Sequence, residues 1–174
     1  MSKKETGGAL RRMMAYALLV ALGVVFSRLL AIDAGVLRFN LGAVPVLLAG
    51  LIFGPLGGAV VGALADAIGG LLVGYTLNPF ITLGAASIGF VCGLLWRRLP
   101  VKNDRVRLAL SVAGGHLVGS LCIVTLTLHW FYGYAWAALV PRIPTYLILS
   151  AVETAVLWLL LHNAGLRDAV NRLK

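Results

Sequence analysis

Long stretches without a single charge limit what this chain can fold into. They run from Met13 to Ser27, Phe39 to Ala65, Ala67 to Trp96, Leu108 to Pro141, and Ile143 to Leu166, the last broken only by Glu153. A helix crossing the hydrocarbon core of a bilayer needs about 20 apolar residues, and several of these stretches hold more than one such length. Composition agrees: charged residues are 12% of the chain and hydrophobic ones 60%, whereas a soluble domain carries roughly 25% charge to solvate its surface. A soluble domain and a disordered chain are both excluded, the second because there is ample apolar surface to bury.

Glycine and proline divide the stretches. Phe53-Gly54-Pro55-Leu56-Gly57-Gly58 and Gly74-Tyr75-Thr76-Leu77-Asn78-Pro79 are turns, and the run from Thr127 to Pro144 is too polar to stay helical throughout. The pattern predicts six helices, roughly residues 9–31, 40–53, 56–73, 79–97, 106–128 and 143–163. The second is short for a span, and Pro45 is expected to bend it. The expected fold class is all-α, a polytopic membrane protein in which residues 1–174 form one six-helix domain without an internal repeat.

The net charge of +9 suggests nucleic acid until the charges are placed. Lys3, Lys4, Arg11 and Arg12 precede the first helix, Arg97, Arg98, Lys102, Arg105 and Arg107 join the fourth to the fifth, and Arg167, Arg172 and Lys174 follow the sixth. With six spans these segments share one side, so 12 of the 15 basic residues are expected in the cytoplasm with both termini. They read as anchors in a bacterial cell membrane and not as a nucleic-acid surface. The basic start and first apolar run also have the form of a signal peptide. Apolar character resumes after Arg28 without a clean cleavage site, so the segment is expected to be retained. Cys92 and Cys122 fall at different depths and are not expected to pair. Neither they nor His116, His129 and His162 have zinc-ligand spacing, so no metal or cofactor is expected.

Three arginines remain on the outer side, Arg28, Arg38 and Arg142, and two carboxylates, Asp66 and Glu153, fall near mid-membrane. Ionisable groups there cost roughly 2.5–3.5 kcal/mol each on insertion scales and are functional candidates by default. Asp66 shares a helix face with Gly58, Gly62 and Gly70, so it faces protein, bonded to a neighbouring helix or Arg28, or touching a ligand. Arg142, Tyr146, Ser150 and Glu153 form one stripe along about 16 Å of the sixth helix. Such a stripe lines an outward-facing pocket or a polar seam between helices. Tyr75, Asn78, His129, Trp130, Phe131, Tyr132, Tyr134 and Trp136 gather at the outer surface, as an aromatic belt or as stacking surfaces for a planar ligand.

Other signals point away from catalysis. The chain has no phosphate-binding G-x-x-x-x-G-K-[ST] loop, no G-x-S-x-G elbow and no H-E-x-x-H, and no enzyme is expected. His116 and Ser120, four apart, read as part of a packing seam with Gly115 and Gly119. Ala17 and Ala21 form a small-residue patch on the first helix, for which internal packing is the default explanation.

The run Leu37-Arg38-Phe39-Asn40-Leu41-Gly42-Ala43-Val44-Pro45-Val46-Leu47-Leu48-Ala49-Gly50-Leu51-Ile52-Phe53-Gly54-Pro55 resembles the second helix of the substrate-binding S components of energy-coupling-factor (ECF) vitamin transporters. The run Gly57 to Asp66 continues the likeness, and Pro141-Arg142-Ile143-Pro144 before a helix carrying Glu153 is similar to the folate-specific branch. The turn Tyr75 to Phe80 departs from the Pro-Gly-Phe-like turn of that branch. The resemblance implies high-affinity vitamin binding from outside, and delivery through a transmembrane coupling protein driven by two ATP-binding subunits. It also implies that Ala17 and Ala21 contact the coupling protein, and that the outer loop from Ala31 to Asn40 acts as a lid.

Pocket chemistry fits folate on its own terms. A pterin offers a paired N–H edge to a carboxylate, and arginines suit terminal carboxylates. The pterin is then expected near Glu153 or Asp66, and the glutamate tail near Arg28, Arg38 or Arg142, with Tyr75, Asn78, Tyr146 and Ser150 completing the site. Alternatives are an S component for riboflavin, pantothenate or a queuosine precursor, a proton-coupled secondary transporter using Asp66 or Glu153, an intramembrane enzyme, or a purely structural membrane subunit.

Overall fold

The computed structural model describes residues 3–34 and 37–171, with side chains among these except at 3–7, 32–34, 37–39 and 167. Among the described residues, the regular structure is helical apart from one short hairpin. Helix α1 (Lys3–Val24) runs into a π-helical stretch, Val25–Leu29. Strands β1 (Ile32–Ala34) and β2 (Leu37–Phe39) pair antiparallel, Ile32 opposite Phe39, where the sequence suggested only a loop. Then come α2 (Ala43–Phe53), α3 (Pro55–Leu72), α4 (Pro79–Arg98) and α5 (Asp104–His116). A second π-helical stretch, Leu117–Val124, carries α5 into α6 (Thr125–Tyr132). The chain ends with α7 (Trp136–Leu139), α8 (Arg142–His162) and α9 (Ala164–Asn171).

Among the described residues, five helices are long and apolar enough to cross a membrane, and α2 is a shorter apolar one. Two expectations need correcting. Pro45 sits not in the interior of α2 but in its first turn, where a backbone N–H has no intrahelical partner to lose. The helix before Gly133 persists to Tyr132 instead of ending near residue 128, and stops where Gly133 adopts a left-handed φ of 70°.

Helix α2 organises the bundle. Its sequence, AVPVLLAGLIF, is apolar all round, and such a helix belongs inside. Val44 through Leu51 are all buried, against α3, α4, α1 and α8. At its C-terminal end the chain reverses at Gly54, with φ at 91°, and Pro55 opens α3. The Arg97 side chain lies against Gly54. Nearby, Arg107 sits 4.0 Å over the Trp96 ring and pairs with Asp104 at 2.8 Å, while Arg105 sits 4.9 Å over Trp158. The basic residues described there therefore gather at one end of the bundle. Helices α3 and α4 meet at backbone contact: a Cβ on Gly58 would fall 2.5 Å from the Gly89 carbonyl oxygen.

An eleven-residue helix is about 16 Å long, so α2 fills only the basic half of the bundle. That half is solid, with Leu47, Val61, Leu108, Val112 and Leu157 fully buried. The other half, above the N-terminus of α2, is hollow. Large apolar side chains such as Leu71, Leu117, Leu147 and Leu159 point outward, as a surface bathed in lipid requires.

Candidate functional site

The hollow half is a cavity of about 890 Å³, floored by Gly42, Ala43 and Val46 at the start of α2. That is ample for a vitamin-sized ligand, since small-molecule sites usually run about 300–1,000 Å³. Two polar clusters face it from different walls.

The first cluster joins the π-helical stretch after α1 to α3 and α4. Arg28 Nη2 donates to Asp66 Oδ1 at 3.1 Å and to the Asp66 carbonyl at 3.4 Å. Thr82 Oγ1 donates to Asp66 Oδ2 at 2.8 Å. Both carboxylate oxygens are therefore occupied, one by a cation. The Arg28 guanidinium also lies 5.7 Å from the centre of the Tyr75 ring. Arg28 reaches Asp66 from the π-helical stretch, and π turns inside α-helices recur at functional sites.

The second cluster joins α5 to α8. Glu153, 1% exposed, receives His116 Nε2 at 2.5 Å on Oε2. The other ring nitrogen, Nδ1, lies 3.2 Å from Ser120 Oγ. Glu153 Oε1 has no hydrogen-bond partner among the described residues, and it is not sealed into the packing but left open toward the cavity that Glu153 lines. About three turns nearer the mouth, Arg142 donates to the Tyr146 hydroxyl, and the Tyr146 ring stacks 5.9 Å from the His116 ring.

Of the residues singled out by sequence, Arg28, Asp66, Tyr75 and Asn78 line the cavity from one side, and Arg142, Tyr146 and Glu153 from the other. Ser150 does not line it; its hydroxyl turns back to the Leu147 carbonyl at 3.0 Å. Arg38 falls in β2, and its side chain lies outside the described residues, as do residues 35 and 36 of the expected lid. Ala17 and Ala21 are exposed on the outer face of α1. The aromatic cluster divides. Tyr132 and Tyr134 line the cavity with Tyr75, whereas Trp130, Phe131 and Trp136 are exposed as a belt would be.

Sequence reasoning missed His116, Ser120 and Thr82. Gly115 and Gly119 do form the seam with α4, where a Cβ on Gly115 would meet the Ile88 carbonyl at 2.7 Å and one on Gly119 the Gly84 carbonyl at 2.5 Å. His116 and Ser120 are one position further round and turn into the cavity instead. The one signal available was the spacing of four that puts His116 and Ser120 on one helix face, and it does not name their partner.

Comparison with known proteins places this geometry among transporters. The family model of the ECF-type riboflavin transporter S component matches residues 9–165. The folate transporter FolT of Clostridium novyi (strain NT) is 32% identical over 103 residues, 55% of this chain and 56% of that protein. The chain thus spans about half the length of that curated relative. The crystal structure of FolT bound with folic acid superposes with a TM-score of 0.72 at 26% identity, covering 85% of this chain and 89% of that one. The S component of a bacterial ECF transporter superposes with a TM-score of 0.71 at 22% identity, over 95% and 99% of the two chains, a likeness of fold alone.

Proposed function

Because this chain belongs to the S components of ECF-type transporters, a class of membrane transport proteins and not of enzymes, we propose that it is a high-affinity folate-binding subunit. The pterin enters deepest, against Glu153, and the glutamate tail stays toward the mouth with Arg142. The observation that carries this reading is the open Oε1 of a buried carboxylate with a guanidinium further out on the same helix. A carboxylate accepts two parallel N–H bonds, which the amino and ring N–H groups of a pterin supply. The names of the relatives support it, since one is a folate transporter and another was crystallised with folic acid.

In this reading the basic end is cytoplasmic, following the positive-inside rule, and the cavity opens outward. The exposed Ala17 and Ala21 on α1 allow close approach of a partner helix from a transmembrane coupling protein, with two ATP-binding subunits supplying the energy. Membrane lipid covers the remaining apolar faces. The family description names riboflavin, which makes a flavin the second reading.

Mass spectrometry of the small molecule that copurifies with the protein in detergent tests the proposal. Folate is the expected result. Riboflavin in its place, or folate affinity that survives both Arg142→Ala and Glu153→Gln, overturns it.

A further inference from the structure

We infer that His116, seated by Ser120, is the residue that makes Glu153 a selector for a ligand edge carrying two adjacent N–H donors. The inference rests on the folate reading and assigns its specificity to a residue that never needs to touch the ligand.

A glutamate side chain has three rotatable bonds, and ordering it costs about 1.5–2 kcal/mol of rotamer freedom. Glu153 has one tether among the described residues, the imidazole Nε2 on Oε2. That imidazole is itself held at three points. Nδ1 meets Ser120 Oγ at 3.2 Å, the ring face stacks on Tyr146 at 5.9 Å, and the backbone at Gly115 and Gly119 is locked against α4. Ser120 is in the π-helical stretch, where Thr125 Oγ1 donates to the Ser120 carbonyl at 3.0 Å. With Oε2 pinned, the plane of the carboxylate is set and Oε1 faces the cavity. His116 thus acts as a positioning residue.

The selected chemistry follows from acceptor and donor order. A carboxylate is acceptor-only, so it pairs with the donor–donor edge of a 2-amino-pyrimidinone, the pterin half of folate. A flavin presents acceptor–donor–acceptor along its corresponding edge, and its carbonyl oxygens would face the carboxylate. An anchored Glu153 favours the first and rejects the second, because an unpaired buried acceptor keeps its full desolvation penalty. Asp66 differs in that neither oxygen is without a donor, Arg28 holding one and Thr82 the other.

The test uses the full chain in lipid nanodiscs and three ligands: folate, p-aminobenzoyl-glutamate, which lacks the pterin, and riboflavin. In His116→Leu, folate affinity is expected to fall about 30-fold, while p-aminobenzoyl-glutamate affinity stays within about threefold. His116→Gln, whose amide can donate to the same oxygen, is expected to restore folate binding to within about fivefold. In a Glu153→Gln background, His116→Leu is expected to change folate affinity by less than about twofold. Ser120→Ala keeps the packing and is expected to cost about threefold, so the inference stays testable if His116→Leu does not fold. Equal losses for folate and p-aminobenzoyl-glutamate, no rescue by glutamine, or unchanged folate affinity in both His116→Leu and Ser120→Ala would overturn the inference while leaving the folate reading intact. Wild-type protein that binds riboflavin and not folate overturns the folate reading, and this inference with it.

Discussion

The two mid-membrane carboxylates look equivalent in sequence and are opposites in structure. Asp66 is held by a guanidinium and a hydroxyl from two other helices, one on each oxygen. Glu153 is more deeply buried, yet has a single imidazole on one oxygen and leaves the other facing the cavity. An acid with a donor from another helix on each oxygen ties helices together. An acid with an acceptor to spare, inside a cavity, is incomplete until a donor arrives. Burial therefore does not separate the two acids; in the proposed reading, the oxygen left without a donor does.

This difference can be broken or sharpened by mutation. The largest effect is expected from Glu153→Gln, which turns one acceptor into a donor. Folate affinity should fall about 100-fold, in line with the 2–5 kcal/mol typical of truncating a buried charged partner, with little loss of thermal stability. Isothermal titration beside a melting curve separates the two. Asp66→Asn is expected to do the reverse. It removes a charge pair bridging the π-helical stretch after α1 to α3, destabilising the fold by about 2 kcal/mol because the pair is largely but not wholly buried, while folate affinity changes less than about fivefold. Denaturant unfolding in mixed micelles measures this, and equal affinity losses in the two variants would erase the distinction.

Arg142→Ala should lower folate affinity about tenfold and that of pteroate, which lacks the glutamate tail, by no more than about threefold. Similar losses for both ligands would mean that Arg142 acts only through Tyr146, whose hydroxyl it bonds. The smallest effect is expected from Thr82→Val, a loss of about 1 kcal/mol of stability with binding unchanged. A measurable loss of folate affinity there would make Asp66 part of the ligand site.

Local patterns were legible where their cause was local. The turn at Gly54-Pro55 was readable because glycine alone tolerates its positive φ and proline suits the first helical position. The stripe from Arg142 through Tyr146 to Glu153 was readable because residues three and four apart share a helix face. Ser150 obeyed the same spacing and still missed the cavity, since a hydroxyl can satisfy itself on its own helix. The pairing of Glu153 with His116 was not readable. The two are 37 residues apart, and the histidine's spacing matched the adjacent glycine seam equally well. The π-helical stretches, the hairpin and α9 also left no signal strong enough to read.

By itself, the sequence determined that this chain lives in a membrane, where its helices begin and turn, and which few ionisable residues need explaining, because charge is so costly in hydrocarbon that every exception stands out. Tertiary structure alone decided that the short, wholly apolar α2 fills one half of the bundle and leaves the other hollow. It also decided which carboxylate has a donor on each oxygen and which leaves one oxygen without any. The physical reason is the same for both: a side chain's remaining volume and unused hydrogen bonds depend on partners from other helices, and spacing along one helix does not encode them.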